Sequence, residues 1–162
     1  MEQTLYFSAI PENVAQLRAI PEAALISPFQ TAALTALALC RYETDPAAAI
    51  ELLNFLKGPQ PLSPFEQQFL RDRLSGKGYV ARSYFAGTTP ANNYTPTLPY
   101  TVTVFDGPYS YQQDGYAKLM LRSSGADSPR EVMLRRKGAQ WFLWENYLLP
   151  DIRVPAALDP WA

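Results

Sequence analysis

Residues 27–40 read SPFQTAALTALALC, and this stretch decides how the rest of the chain must be arranged. The hydroxyl of Ser27 can cap a helix, and Pro28 suits the first helical position because no amide donor is needed there. Apolar side chains then occur on almost every side of the predicted helix, so it should lie in the middle of the domain. The run is far shorter than the roughly 20 residues of a membrane-spanning helix. We therefore expect a core helix with Leu34 and Leu37 buried.

The same start signal, a capping residue followed by proline, occurs twice more before residue 65. It predicts helices over residues 46–57 and 64–74, and a shorter helix is expected over residues 12–20. Each of the two longer helices carries one apolar stripe that should face the core. The side chains that we expect to be buried on these stripes include Ile50, Leu53 and Phe69.

After Gly78 the hydrophobic period changes from about 3.6 residues to two, as in half-buried strands. Alternating segments occupy residues 101–105, 116–122, 131–136 and 140–145. They predict an antiparallel meander in which Lys137-Gly138 forms a two-residue turn and pairs Leu134 with Trp141. The side chains expected to face the helices are Val132, Leu134, Trp141 and Leu143, and those expected on the other face are Met133, Arg135, Gln140, Phe142 and Trp144.

Together these patterns predict a single α+β domain, with N-terminal helices packed on a C-terminal antiparallel sheet of about four strands. Within residues 1–162 we divide the chain into four parts. These are a mainly helical part (1–78), an irregular loop (79–99), antiparallel strands (100–146) and an extended C-terminal tail (147–162).

Composition limits the classes of partner and the cellular compartment. The 14 basic and 15 acidic residues nearly balance, so no nucleic acid and no anionic membrane is expected as a partner. Cys40 is the only cysteine, which excludes an intramolecular disulfide and fits a reducing compartment. Glu2 stands where a signal peptide would be positively charged. We therefore expect a cytoplasmic protein.

The residues needed for several kinds of catalysis are missing. The chain has no histidine, which excludes Ser-His-Asp and Cys-His catalysis and imidazole zinc sites. Cys40 lies within the apolar helix, where a reactive thiolate is not expected. Asp106 and Asp114 each precede a glycine, a pattern typical of turns. No cofactor is implied, although a small enzyme that uses Asp, Glu or Tyr remains an alternative.

A local concentration of basic and aromatic residues distinguishes the second half of the chain. Residues 118–137 hold six basic side chains against two acidic ones, and many tyrosines and phenylalanines precede them. Rigid rings beside arginines are typical of protein-binding surfaces, so we favour a non-enzymatic module that binds a protein or peptide. The loop at residues 86–99 could contribute to recognition. The candidate surface residues are Tyr94, Lys118, Arg122, Met133, Arg135, Phe142, Trp144 and Trp161.

Two further readings of the same region remain open. Aromatic residues and arginines are also common on ordinary solvated strand faces. A small-ligand pocket between sheet and helices, of the cystatin-like or nuclear-transport-factor-like kind, is possible by analogy of fold alone. If the sheet face is a recognition surface, Phe142 and Trp144 should be noticeably exposed.

The C-terminal part carries the most distinctive motifs. These are an ADSP turn at 126–129, a basic strand at 135–137, WFLWE at 141–145 and a final DPWA at 159–162. Together with SPFEQQFLRDRL and NNYTP, they resemble an uncharacterised family of small bacterial proteins of unknown function. The resemblance covers most of the chain and implies no activity and no site residues. The prolines of the tail predict an extended path along a surface. We expect Trp161 to pack, either in a groove of its own domain or, with the tail free in the monomer, against another protein.

Overall fold

The computed structural model describes all residues from Met1 to Ala162. In chain order its elements are β1 (Glu2–Phe7), α1 (Val14–Arg18), α2 (Pro28–Arg41), α3 (Pro46–Lys57), α4 (Pro64–Leu74), α5 (Tyr79–Arg82), β2 (Tyr100–Phe105), β3 (Tyr116–Leu121), β4 (Arg130–Lys137) and β5 (Gln140–Asn146). Short 3-10 turns occupy Pro21–Ala24, Pro90–Asn92 and Ala156–Leu158. The predicted α+β class is confirmed, with helices leading and most strands following. None of the helices combines the length and the apolar character that crossing a membrane requires.

Helix α2 forms the centre of the core. It lies against the inner face of the sheet and is packed on its other side by α3 and α5. Leu34 and Leu37 are completely buried, as expected from the sequence. Two threonines of this apolar helix also find acceptors, since the hydroxyl of Thr31 donates to the carbonyl of Trp141 (2.7 Å) and that of Thr35 to the carbonyl of Thr31 (2.8 Å). The helix therefore buries its polar atoms without leaving one unpaired.

The sheet is antiparallel throughout, in the order β1-β2-β3-β4-β5, and has five strands where about four were expected. The additional strand is β1, which pairs with β2 from Glu2 opposite Phe105 to Phe7 opposite Tyr100. The two edges of the sheet differ. At β5 the amide of Trp141 donates to the carbonyl of Leu25 (2.8 Å), whereas no backbone group of β1 bonds beyond its pairing with β2.

The predicted register of the β4–β5 hairpin is wrong by two residues. The turn consists of Gly138 and Ala139, and Leu134 pairs with Leu143 instead of Trp141. Gly138 takes the positive φ of +63° that this turn requires. Because side chains alternate with a period of two, a slip of two residues leaves each side chain on its predicted face. Val132, Leu134 and Leu143 are buried accordingly, and Trp141 is partly buried near the hairpin tip.

The predicted burial of Phe69 is wrong, and Ile50 is only partly buried. Helix α4 directs Leu70 and Leu74 into the core, which leaves Phe69 36% exposed and Phe65 79% exposed. The guanidinium of Arg73 lies 5.1 Å from the Phe69 ring centroid. The apolar positions of α4 thus occupy two faces of the helix, and only the leucine face is buried.

Residues 86–99 form an ordered loop that packs on the domain. The side chain of Asn92 caps the 3-10 turn by accepting from the amide of Thr89 (2.9 Å). Tyr94 is completely buried, and its hydroxyl donates to the carbonyl of Arg153 (2.7 Å). Tyr94 is therefore not part of any surface, because its ring fills the space under the loop and its polar end is satisfied inside the protein.

The C-terminal tail is anchored at its start and free at its end. Leu148, Leu149 and Ile152 are buried, and the hydroxyl of Tyr84 donates to the carbonyl of Leu148. Trp161, however, is 92% exposed. The expectation that Trp161 packs on its own domain is wrong, because the tail docks through the apolar residues before its last prolines and not through the indole.

Candidate binding surface

The outer face of the sheet is the face that the helices do not cover. We use this name for six side chains of β3, β4 and β5 that point away from α2: Tyr116, Lys118, Met133, Arg135, Phe142 and Trp144. Strand pairing arranges five of them in two rows. Tyr116 lies opposite Arg135, which in turn lies opposite Phe142, and Lys118 lies opposite Met133. The sequence therefore brings basic and aromatic side chains together, as the alternation predicted.

Arg135 occupies the centre of the outer face. Its guanidinium carbon lies 4.6 Å from the ring centroid of Trp144 and 5.3 Å from that of Tyr116. The two rings meet edge to face at 6.0 Å. No carboxylate of the chain lies within 4.0 Å of this guanidinium. The rings thus hold a cation in place while its N–H groups stay free for an external acceptor.

A β-bulge places Trp144 on this face. The pairing of β4 with β5 shifts between Met133 and Leu134, so that Trp144 has no direct partner on β4. Bulges of this kind redirect side chains at the edge of a sheet. The carbonyl of Trp144 lies on an edge strand and accepts a hydrogen bond from the ammonium of Lys57 (3.1 Å).

Lys57 joins the end of α3 to the edge of the sheet. Although it is a lysine, only 7% of the residue is exposed. Besides the Trp144 carbonyl, its ammonium binds the carboxylate of Glu66 at 3.1 Å. Burial alone would raise the pKa of Glu66, but hydrogen bonds from Ser63 and Lys57 outweigh it and hold that pKa below its usual range. The positive charge of Lys57 is thereby balanced by the Glu66 carboxylate, and its ammonium is held by two hydrogen bonds.

The turn after α3 packs directly on Phe142. Gly58 has a positive φ of +66°, and a Cβ at this position would overlap the Phe142 ring. Glycine is therefore required for two reasons, the backbone conformation and the close approach of the ring. The contact leaves Phe142 partly buried, and Trp144 is partly buried as well. Neither ring is completely covered.

Between this turn and the hairpin lies a cleft of about 390 Å³, which we call the hairpin pocket. Its walls are formed by Lys57, Pro59, Gln60, Arg135, Arg136, Lys137, Phe142, Leu143 and Trp144. Four of these nine side chains are basic and none is acidic. Lys57 is bound to Glu66, and Arg136 lies 3.9 Å from Asp114. Arg135 and Lys137 have no carboxylate partner within 4.0 Å, so they give the pocket its positive charge.

The remaining candidate residues lie elsewhere. Arg122 follows the other end of β3, where its guanidinium lies 4.1 Å from the Phe105 ring centroid and 3.6 Å from the Glu2 carboxylate. Tyr94 is buried, and Trp161 extends from the tail. The structure therefore groups Lys118, Met133, Arg135, Phe142 and Trp144 and leaves the other three apart.

Sequence reasoning missed Tyr116, Lys137 and Lys57 as members of this region. Tyr116 could have been found, because it shares the alternation of Lys118, and Lys137 follows from the hairpin itself. No sequence signal marks Lys57, since a lysine in the last turn of a helix is normally solvated and stabilises the helix dipole.

The carboxylates considered for catalysis have separate partners. The terminal ammonium of Met1 and the hydroxyl of Tyr111 hold the pKa of Asp106 below its usual range despite partial desolvation. Asp114 is fully exposed and lies near Arg136. Burial, with a smaller contribution from Glu43, raises the pKa of the Cys40 thiol to about 12. The thiol therefore stays protonated near neutral pH.

Comparison with protein families gives one match. Residues 9–156 match the model of a domain of unknown function, DUF6935. The chain belongs to this family. The resemblance to an uncharacterised family is thus confirmed, and the match includes every residue of the outer face and the hairpin pocket. No curated protein matches the chain, and no solved structure does.

Proposed function

We propose that this DUF6935 protein is a binding module that recognises an acidic segment of a partner protein or peptide through its outer face. The observation that carries the proposal is the position of Arg135, whose guanidinium lies over both the Tyr116 and the Trp144 ring and has no carboxylate within 4.0 Å. Guanidinium groups bind carboxylates through paired hydrogen bonds, and a fixed guanidinium loses less entropy when it does so.

The neighbouring side chains support an acidic partner. Lys118 and Lys137 also lack a carboxylate within 4.0 Å. The nearby acid Glu145 accepts a hydrogen bond from its own neighbour Tyr147. Met133 and the rings of Phe142 and Trp144 add partly exposed apolar area. Aromatic anchors beside an arginine are the usual composition of an interface centre.

We place this activity in the bacterial cytoplasm. The resemblance to small bacterial proteins supports the source, and the single free cysteine suits a reducing compartment. A protein-binding role needs neither a cofactor nor a metal ion.

Selection of random peptides displayed on phage tests the proposed function. We expect the wild-type protein to enrich acidic peptides, and we expect Arg135→Gln to weaken their binding by about tenfold or more. Arg73→Gln is the matched control, because Arg73 also lies over an aromatic ring, that of Phe69, but on α4. Enrichment of neutral or basic peptides, or equal binding by both variants, would contradict the proposal.

A further inference from the structure

The hairpin pocket differs from the open sheet face in having walls of two kinds. Its lining combines two cations without a carboxylate partner, Arg135 and Lys137, with the rings of Phe142 and Trp144, and the Arg135 guanidinium lies 4.6 Å from the Trp144 ring centroid. We infer that this pocket binds a carboxylate attached to a flat apolar group, such as an aromatic carboxylate. The guanidinium and ammonium would take the carboxylate, and the rings would take the apolar part.

Charge in the pocket favours an anion over a neutral ligand. The charge of Lys57 is balanced by the Glu66 carboxylate, and its ammonium also donates to the Trp144 carbonyl. Arg136 lies near the carboxylate of Asp114. Two cations remain without a counter-charge, and no acidic side chain lines the cleft. A carboxylate would supply the missing charge and accept hydrogen bonds from both.

The size and shape of the pocket suit a ring-sized group. Its volume of about 390 Å³ lies at the small end of the range for ligand sites, which runs from roughly 300 to 1,000 Å³. Pro59 and Gln60 line it on the side of the turn after α3. Aromatic side chains gain from offset or edge contacts with a second ring beyond the area that they bury.

The pocket is held open by contacts that do not depend on a ligand. The Lys57 ammonium fixes the Trp144 backbone to α3 and α4, and Gly58 packs against Phe142. The Tyr116 ring, which contacts Trp144 edge to face, also lies 5.3 Å from the Arg135 guanidinium. A preformed site avoids the ordering cost that a flexible one would incur on binding.

The ligand chemistry has two possible sources. One is an acidic residue next to an aromatic residue in a partner peptide, and in that form the inference rests on the proposed function. The other is a free small aromatic acid. Both present a carboxylate close to a ring, and they can be separated by experiment.

Titration followed by amide and indole N–H chemical shifts tests the pocket with phenylacetate as the probe. We expect saturable shifts at Gln60, Lys137, Gly138 and the Trp144 indole. The neutral analogue phenylacetamide should bind at least about tenfold more weakly than phenylacetate. Arg135→Gln and Lys137→Gln should each weaken phenylacetate binding severalfold. Lys77→Gln, at an exposed lysine after α4, should leave it unchanged. Equal binding of phenylacetamide, or shifts that do not saturate or are scattered, would overturn the inference.

A competition experiment distinguishes the two sources. A peptide with adjacent glutamate and phenylalanine, acetylated and amidated so that only the side-chain carboxylate is present, should displace phenylacetate if the pocket serves a protein partner. Phenylacetate binding without displacement assigns the pocket to a free acid and rejects the peptide source. Peptide binding to the outer face without phenylacetate binding rejects the pocket and retains the proposed function.

Discussion

At the scale of single residues, Lys57 is a buried ammonium group whose desolvation is offset by bonds that link three elements of the fold. A lysine that is only 7% exposed loses most of its hydration, and without a partner this desolvation would destabilise the fold. The Glu66 carboxylate and the Trp144 carbonyl replace the lost water. Three elements, α3, α4 and β5, thereby meet at one ammonium group, which is why the position of the outer-face tryptophan depends on a residue outside that face.

Glu66→Gln removes the charge partner of Lys57. Because Glu66 itself is partly exposed, we expect a loss of about 1 kcal/mol at neutral pH, at the lower end of the cost of an unpaired buried group. The pKa of Glu66 is lowered in the folded state, so its contribution is present above the pKa of the unfolded chain and is lost as pH falls through the folded value. Urea unfolding at neutral and acidic pH measures both effects.

The control for this variant is Glu51→Gln, since Glu51 is exposed on α3 and has no ion-pair partner. The difference in unfolding free energy between the two variants should shrink at acidic pH. A difference that stays constant with pH would show that the charge of Glu66 does not stabilise the fold.

Leu37→Ala tests the central helix. Leu37 is completely buried in the core, so the substitution should cost about 2–5 kcal/mol by removing contacts and leaving a cavity. Phe65→Ala on α4 removes a larger side chain that is 79% exposed, and it should change stability by no more than about 0.5 kcal/mol. Chemical denaturation compares the two. Similar losses would mean that α4 is packed more closely than its exposed face indicates.

At the scale of elements, local signals predicted the helices well. The helices that begin at residues 28, 46 and 64 start at the predicted prolines, because capping is decided within one turn. At α4 the full capping box of Ser63 and Glu66 is present. Strand β1 could not be placed in this way, since its partner β2 lies about a hundred residues further along the chain.

The candidate surface was predictable in composition but not in geometry. Alternation was sufficient to put Met133, Arg135 and Trp144 on one face. The contact between Arg135 and Trp144 depends on the bulge and on the true turn, and neither has a firm signal in the sequence Lys-Gly-Ala. Tyr94 was misplaced because a tyrosine whose hydroxyl finds a buried acceptor has the same sequence signature as an exposed one.

Gly58→Ala should disturb the junction between α3 and the hairpin. The positive φ and the overlap with Phe142 together should cost about 1–3 kcal/mol and alter Trp144 fluorescence. Gly76→Ala is a matched control, because Gly76 has a φ of +70° but open space around it. Urea unfolding should show the larger loss for Gly58→Ala, and adding Phe142→Ala should recover part of it. Equal losses in the two glycine variants would mean that the ring contact is unimportant.

At the scale of the whole molecule, the last four residues of the tail add no buried side chain to the core. The core ends with Leu148, Leu149 and Ile152, and the indole of Trp161 lies outside it. Exposed large aromatic residues at the end of a restricted segment are suited to contacts with other molecules. Changes at the end of the tail should therefore not alter the outer face or the stability of the core.

Deleting residues 159–162 should leave the unfolding free energy of the monomer within about 0.5 kcal/mol of the full chain, since Trp161 is 92% exposed. Ile152→Ala, in the anchored part of the tail, should cost about 2 kcal/mol or more. Thermal and urea unfolding measure both. A loss of about 1 kcal/mol or more on deletion would show that the indole packs on its own domain in solution.

The two edges of the sheet also limit how copies of this protein can associate. An unpaired strand edge accepts a strand from another molecule, and β1 has such an edge, whereas β5 is covered at Trp141 and Trp144 by Leu25 and Lys57. If two molecules joined through β1, both outer edges of the combined sheet would be covered strands. Growth by strand addition would then stop at a dimer. Covering only the β5 edge of the sheet is therefore sufficient to prevent open-ended fibres.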